Sequence, residues 1–222
     1  PALVHQLRAD GGPLQDAIHT GATSQDVIAT ALVLSLRDLS DLLDARLQTL
    51  GAAHDDLTER FGQNPLMGRT RMQAALPMTV ADRMRSWRAP LSAHRARLAD
   101  IRPTVQYVQL GGAVGDTQQM QGKGPQITQA VAADLGLTVP PHAWHAMRDG
   151  LVDYAGLLSL ITGTLGKVGQ DICLMAQQGI DEITLSGGGG ASAMVHKTNP
   201  VLAELLVTLA RFNATQVAGM HH

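Results

Sequence analysis

Residues 24–62 contain no proline, and only Gly51 and Gly62 interrupt a run of good helix formers. Leu32, Leu36, Leu39, Leu43, Leu47, Leu50 and Leu57 recur mostly three and four apart, the spacing of one apolar helix face. A single helix across this stretch is roughly 55–60 Å long at 1.5 Å per residue. Few globular helices reach that length, so the stretch predicts a rod of a helical bundle. A second stripe follows Asp149: Leu151, Ala155, Leu158, Ile161, Leu165, Val168, Ile172 and Met175. Gly163, Gly166 and Gly169 lie inside it, and each costs up to ~1 kcal/mol relative to alanine in a helix. Close approach of a neighbouring helix is the expected compensation. A third helix is predicted from Pro200 through Val201, Leu202, Leu205, Leu206, Leu209 and Phe212. Asn199 is its expected N-cap, with proline in the first turn.

Shorter helices are predicted at 78–99 and 125–135. Connections bearing proline and glycine fill 62–77, 101–124 and 136–144, and a loop with four consecutive glycines, Gly187 to Gly190, fills 181–198. Thr104 to Leu110 is the only weak strand candidate, and no fixed-period repeat is visible. The predicted class is all-α, built on long antiparallel helices.

Composition narrows what such a bundle does. The 222 residues carry 17 basic and 19 acidic side chains, a net charge of −2, which is no electrostatic footprint for nucleic acid. No run of ~18 uninterrupted apolar residues marks a membrane span. Cys173 is the single cysteine, which excludes an intramolecular disulfide and a multi-cysteine metal site and fits a reducing, cytoplasmic setting. Charged residues are 16% and aromatics 3%. A core of Leu, Ala, Val, Ile and Met, with a surface short of charge, predicts that something else covers much of that surface.

Four polar segments stand out. His19-Thr20-Gly21-Ala22-Thr23-Ser24-Gln25-Asp26 opens the first long helix, and Thr23 to Asp26 has capping-box spacing. The segment reads either as a capped helix start or as a carboxylate site. In the second reading the helix dipole, free N–H groups and two hydroxyls meet the anion. Gly187 to Pro200 reads as a linker or as a closing lid, with Ser192, His196, Lys197 and Asn199 after the glycines. Gly68-Arg69-Thr70-Arg71-Met72-Gln73 reads as a solvated basic turn or a carboxylate clamp. In Trp144 to Asp149, His145 is a capping histidine or a proton donor. Other motifs fail: Gly111 to Gly115 is not a dinucleotide fingerprint. His196 stands where a phosphate loop needs glycine, and His142 and His145 lack a HExxH context for zinc.

Together these segments resemble the fumarase/aspartase superfamily. HTGATSQD is similar to its first signature, and GRTRMQAALP stands where the second belongs. GASAMVHKTNP is similar to the third, usually Gly-Ser-Ser-x-Met-Pro-x-Lys-x-Asn-Pro. The signatures are in the right order, and the resemblance covers nearly the whole chain. Within the superfamily, HTGATSQDVIATAL, QLGGAVGD and WHAMRD most resemble the 3-carboxy-cis,cis-muconate cycloisomerases. Arg71 replaces the histidine of the adenylosuccinate lyases, the rival branch. A structural member that has lost chemistry is a further alternative.

The resemblance implies a homotetramer whose active sites are shared between subunits, a small polycarboxylate substrate, and no metal or redox cofactor. It implies lactonisation of a carboxymuconate, or of an analogue such as a sulfomuconate, by carboxylate addition across a double bond. Ser192, His145 and His19 are then the candidate catalytic residues. Thr23, Ser24, Arg69, Arg71, Gln73, Lys197 and Asn199 are the candidate substrate ligands. The sequence departs from the pattern at Ala191, where the first loop serine usually stands. That leaves Ser192 or another group such as His145 as the base. Val195 replaces the usual proline, and Thr198 a frequent basic residue. Residues 1–20 would end an N-terminal domain and 21–222 form the central bundle, with a C-terminal domain missing. The chain opens at Pro1 without Met and reads as a piece of a longer protein.

Overall fold

The computed structural model describes residues 2–186, 189–190 and 197–221. Six α-helices among the described residues carry the fold: α1 (Ala2–Asp10), α2 (Ser24–Phe61), α3 (Val80–Val105), α4 (Gly124–Leu135), α5 (Asp149–Met175) and α6 (Val201–Gly219). The proline-free rod is thus one helix of 38 residues, and the class is all-α as expected. An antiparallel hairpin, β1 (Pro65–Thr70) and β2 (Gln73–Thr79), joins α2 to α3. A two-residue pairing links β3 (Gly189–Gly190) to β4 (Thr198–Asn199).

The chain divides into two compact units, Pro1–Asp41 with Asp100–Gly150, and Leu42–Ala99 with Leu151–His222. In the first, Ala29 and Val33 of α2 are buried, as are Ile101, Val105, Val108, Met120 and Ala132. The weak strand candidate at 104–110 does not form a strand, and its first two residues end α3. Tyr107 makes an isolated bridge to Thr138, and several other backbone groups of the segment find partners outside a ladder. Val108 N–H donates to the Thr138 carbonyl at 3.0 Å and Thr138 N–H to the Gln106 carbonyl at 2.9 Å. Gln109 N–H donates to the Thr30 hydroxyl at 3.0 Å, and that hydroxyl donates back to the Gln109 carbonyl at 3.1 Å. A buried backbone needs partners, not a ladder as such.

In the second unit Met84, Trp87, Val168 and Met175 form a core, with Leu66, Val80, Ile172 and Ile183 packed on it. Asp171 accepts from Trp87 Nε1 at 2.7 Å and from Lys167 Nζ at 2.5 Å. The hairpin was not predicted. Its residues are mostly exposed, so no alternating apolar pattern marks it. Its loop is the pair Arg71-Met72, at φ 49° and 66°. Positive φ at both positions is what a two-residue type I′ turn needs, although neither residue is the usual Asn or Gly. A bulge at Met67/Arg69 makes room for Gly68, where a Cβ would lie 2.7 Å from the Leu76 carbonyl.

Two helix boundaries correct the sequence reading. The helix expected at 78–99 runs on through Pro103 to Val105. It opens with a full capping box. Thr79 N–H and Oγ1 both donate to Asp82, at 3.0 and 2.8 Å, and Asp82 N–H returns to Thr79 Oγ1 at 3.2 Å. The last helix begins one residue late. Pro200 is its N-cap, at ψ 52°, because Asn199 is already paired with Gly189 in the β3–β4 ladder.

The α5 glycines divide in two. A Cβ on Gly166 would stand 2.4 Å from Ala210 Cβ, and one on Gly169 would stand 2.6 Å from the Ala203 carbonyl. Both are points of close approach to α6. Gly163 has nothing within 4 Å and is not one of them. By length and composition alone α5 could cross a membrane, which the lack of an uninterrupted apolar run did not anticipate. Its Gly166–Gly169 face is seated on α6.

His54 and His94, both in the second unit, are 6% and 4% exposed. Burial lowers both below the ordinary 6.5, helped by Arg88 at His54 and by Arg97 at His94. Arg97 donates to His94 Nδ1 at 3.3 Å, so His94 Nε2–H is the donor to Thr164 Oγ1 at 2.8 Å. The fold prefers the neutral ring, and the unfolded chain binds the proton more tightly. Their contribution is therefore full above pH 6.5 and is lost as pH falls through that value toward the lower folded pKa. Thermal unfolding followed from about pH 8 to about pH 5 should show a midpoint that falls with acid. The fall should be shallower in His94→Gln; an equal slope in the variant contradicts a role for His94.

Candidate active site

In the first unit the predicted loop HTGATSQD is anchored through a residue the sequence marked only as a cap. Asp26 is 3% exposed. Its Oδ1 accepts from Gly111 N–H at 3.0 Å and from Gln109 Nε2 at 2.9 Å. Its Oδ2 accepts from Gly112 N–H at 3.0 Å and from Thr23 N–H at 2.9 Å. One carboxylate thus joins the start of α2 to the segment Gln109–Gly112. The capping spacing of Thr23 and Asp26 was legible; the longer reach of Asp26 was not. Two glycines allow the approach. A Cβ on Gly112 (φ 65°) would lie 2.5 Å from the Gly21 carbonyl, and one on Gly21 (φ 75°) would lie 2.8 Å from Met120 Cγ.

Gln109 extends the network to His145. Its Oε1 accepts the Trp144 N–H at 2.7 Å, and its Nε2 lies 3.3 Å from His145 Nδ1. Trp144 Nε1 donates to the Val108 carbonyl at 3.1 Å, fixing the segment that bears the histidine. His145 is half-buried, as are His19 and Thr23, while Ser24 is exposed at the first residue of α2. His19 holds φ 60°, a conformation sparsely populated by residues other than glycine. Arg8 Nε donates to the neighbouring Ile18 carbonyl at 3.1 Å. Four predicted residues, His19, Thr23, Ser24 and His145, therefore share one unit, and Asp26 ties two of their segments together.

The other predicted residues lie in the second unit. Arg69 is not a free clamp: its guanidinium pairs with Glu182 at 2.5 Å. Arg71 sits at the hairpin tip, and Gln73 opens β2, exposed. A cleft of about 270 Å³ is lined by Arg69, Arg71, Arg83, Asp171 and Glu182, among others. Its acids and bases nearly balance. Lys197 is exposed and Asn199 half-buried in β4. Ser192 and His196 lie outside the described residues.

A family model described as lyase matches residues 11–219. The chain belongs to this lyase family. It is 38% identical over 212 residues to the 3-carboxy-cis,cis-muconate cycloisomerase of Pseudomonas aeruginosa, covering 94% of this chain and 46% of that protein. It is 31% identical over 221 residues to the N-acetyl-S-(2-succino)cysteine lyase of Enterococcus italicus, covering 98% and 49%. The crystal structure of the 3-carboxy-cis,cis-muconate lactonizing enzyme of Pseudomonas putida matches with a TM-score of 0.89 at 36% identity, over 98% of this chain and 48% of that one. The chain spans about half the length of these relatives. The superfamily resemblance carried by the three signatures holds for this lyase chain.

Proposed function

We propose that this lyase chain is the central part of a cycloisomerase that lactonises 3-carboxy-cis,cis-muconate or a close analogue. The observation that carries the reading is its 38% identity, over nearly its whole length, to a curated enzyme of that name. Residues 21–222 are then the bundle domain of a longer cytoplasmic protein that works as a homotetramer, with sites completed by neighbouring subunits.

The reaction adds a substrate carboxylate oxygen across an activated double bond, and the carbon beside another carboxylate gains a proton. Negative charge builds on that second carboxylate in the transition state. A protein catalyses this by aiming fixed donors at the growing charge and placing one acid or base. Thr23 and Ser24, at the positive end of the 38-residue α2, suit a substrate carboxylate. His19 positions the substrate. Lys197, Asn199, Arg71 and Gln73 are further polar contacts to substrate, supplied to the shared site by neighbouring subunits. Arg69 serves mainly to hold the hairpin through Glu182. Ser192, next to Ala191 in sequence, gives the carbon beside the second carboxylate its proton in lactonisation and takes it back, as the base, in the reverse elimination.

The test is turnover by the full-length protein, with 3-carboxy-cis,cis-muconate and N-acetyl-S-(2-succino)cysteine supplied separately. The diene absorbance should fall with the first substrate, and no fumarate should form from the second. The opposite pattern assigns the chain to elimination chemistry. No turnover of either favours a structural member of the family.

A further inference from the structure

We propose that Gln109 is a positioning residue that fixes the proton of His145 on Nε2, so that His145 meets substrate as a hydrogen-bond donor and not as a base. The proposal deepens the reading above and rests on His145 belonging to the active site. The amide orientation of Gln109 follows from its neighbours. The Trp144 main-chain N–H, 2.7 Å away, can only donate, so the atom facing it is Oε1. The remaining end is therefore the NH2 group. One of its hydrogens goes to Asp26 Oδ1 at 2.9 Å. Asp26 cannot answer with a proton of its own, since every one of its four partners is a donor.

The second amide hydrogen points at His145 Nδ1, 3.3 Å away. Two donors cannot share that contact, so Nδ1 must offer its lone pair. In a neutral imidazole the proton then sits on Nε2. Nε2 has no lone pair free to take a proton from substrate, and Nδ1 is turned inward to Gln109. What Nε2–H can do is donate to the carboxylate oxygen on which charge develops, with no proton leaving the ring. The network that sets this is rigid. Gln109 is 2% exposed, and the Thr30 hydroxyl holds both its backbone groups.

The experiment is 15N NMR of the full-length protein labelled at histidine, with the His145 signals assigned by their loss in His145→Gln. At neutral pH, Nε2 should carry the proton and Nδ1 should not. In Gln109→Glu the carboxylate should draw the proton to Nδ1. Gln109→Met, which keeps the volume and removes the donor, should give both tautomers. A proton on Nδ1 in the wild type overturns the proposal, as does a pure Nε2–H signature retained in Gln109→Met. Turnover supplies a second arm. The His145→Gln amide can place a donor near Nε2, whereas His145→Asn places its amide nearer Nδ1. His145→Asn should lose ~100-fold in kcat and His145→Gln under ~10-fold. Equal losses point to proton transfer and contradict the donor role. Wild-type protein inactive on the muconate defeats the functional reading alone, because the tautomer is still read by NMR.

Discussion

Asp26→Ala is expected to lower the stability of the first unit by about 3–5 kcal/mol, a large share of the 5–15 kcal/mol that holds a typical domain together. Alanine removes the acceptor for three main-chain N–H groups and the Gln109 amide. Each buried donor left unpaired costs about 1–3 kcal/mol, and water entering the vacated volume recovers only part of it. Asn is no rescue. Both carboxylate oxygens accept from two donors, so either orientation of the Asn amide sets an NH2 against N–H groups. Asp26→Asn should therefore cost about 2–4 kcal/mol although its shape is almost unchanged. Denaturant unfolding of the full-length protein reads the loss. Hydrogen exchange at Gly111 and Gly112 should accelerate in both variants. A cost below ~1 kcal/mol for Asp26→Asn would show that the four contacts do not hold the loop.

Substitution of the α5 glycines should give opposite signs at neighbouring turns. At Gly166 and Gly169 the new methyl would stand 2.4 Å from Ala210 Cβ and 2.6 Å from the Ala203 carbonyl, respectively. The obstacle at Gly169 is backbone, which cannot rotate away, so α6 must move as a body. Overpacking of this kind costs about 1–3 kcal/mol, and at Gly169 it outweighs the ~1 kcal/mol of helix propensity that alanine supplies. Gly163, with open space around its Cβ direction, should instead gain up to ~1 kcal/mol on change to alanine. Thermal unfolding of the three single variants decides between the signs. A destabilised Gly163→Ala would contradict the division of these glycines.

Much of the architecture was legible because long helices advertise themselves. The leucine spacing from Leu32 to Leu57 and the absence of proline led to α2, whose bounds are Ser24–Phe61. The stripe after Asp149 led to α5. What escaped was structure held by backbone partners rather than by a buried face. The hairpin buries little, so its strands show no period of two, and its turn uses Arg71-Met72 in place of a glycine signal. The segment around Gln109 offered a weak strand candidate, yet its partners are a threonine hydroxyl on α2 and an isolated bridge.

At the site, the sequence marked residues by chemical type and could not see distance. His145 was named for its ring; its link through Gln109 to Asp26 spans 119 positions from residue 26 to residue 145. Local spacing carries no trace of such a contact. Arg69 shows the converse. Its type suggested a substrate clamp, and Glu182, 113 residues away, takes its charge.

The most direct test is a crystal structure of the full-length protein with the muconolactone product bound. A product carboxylate should lie within ~3 Å of the Thr23 or Ser24 hydroxyl, with His145 Nε2 at similar distance from a product oxygen. Product seated away from all three, with the Asp26-anchored loop empty, would contradict the assignment of this helix start as the carboxylate-binding end of the site.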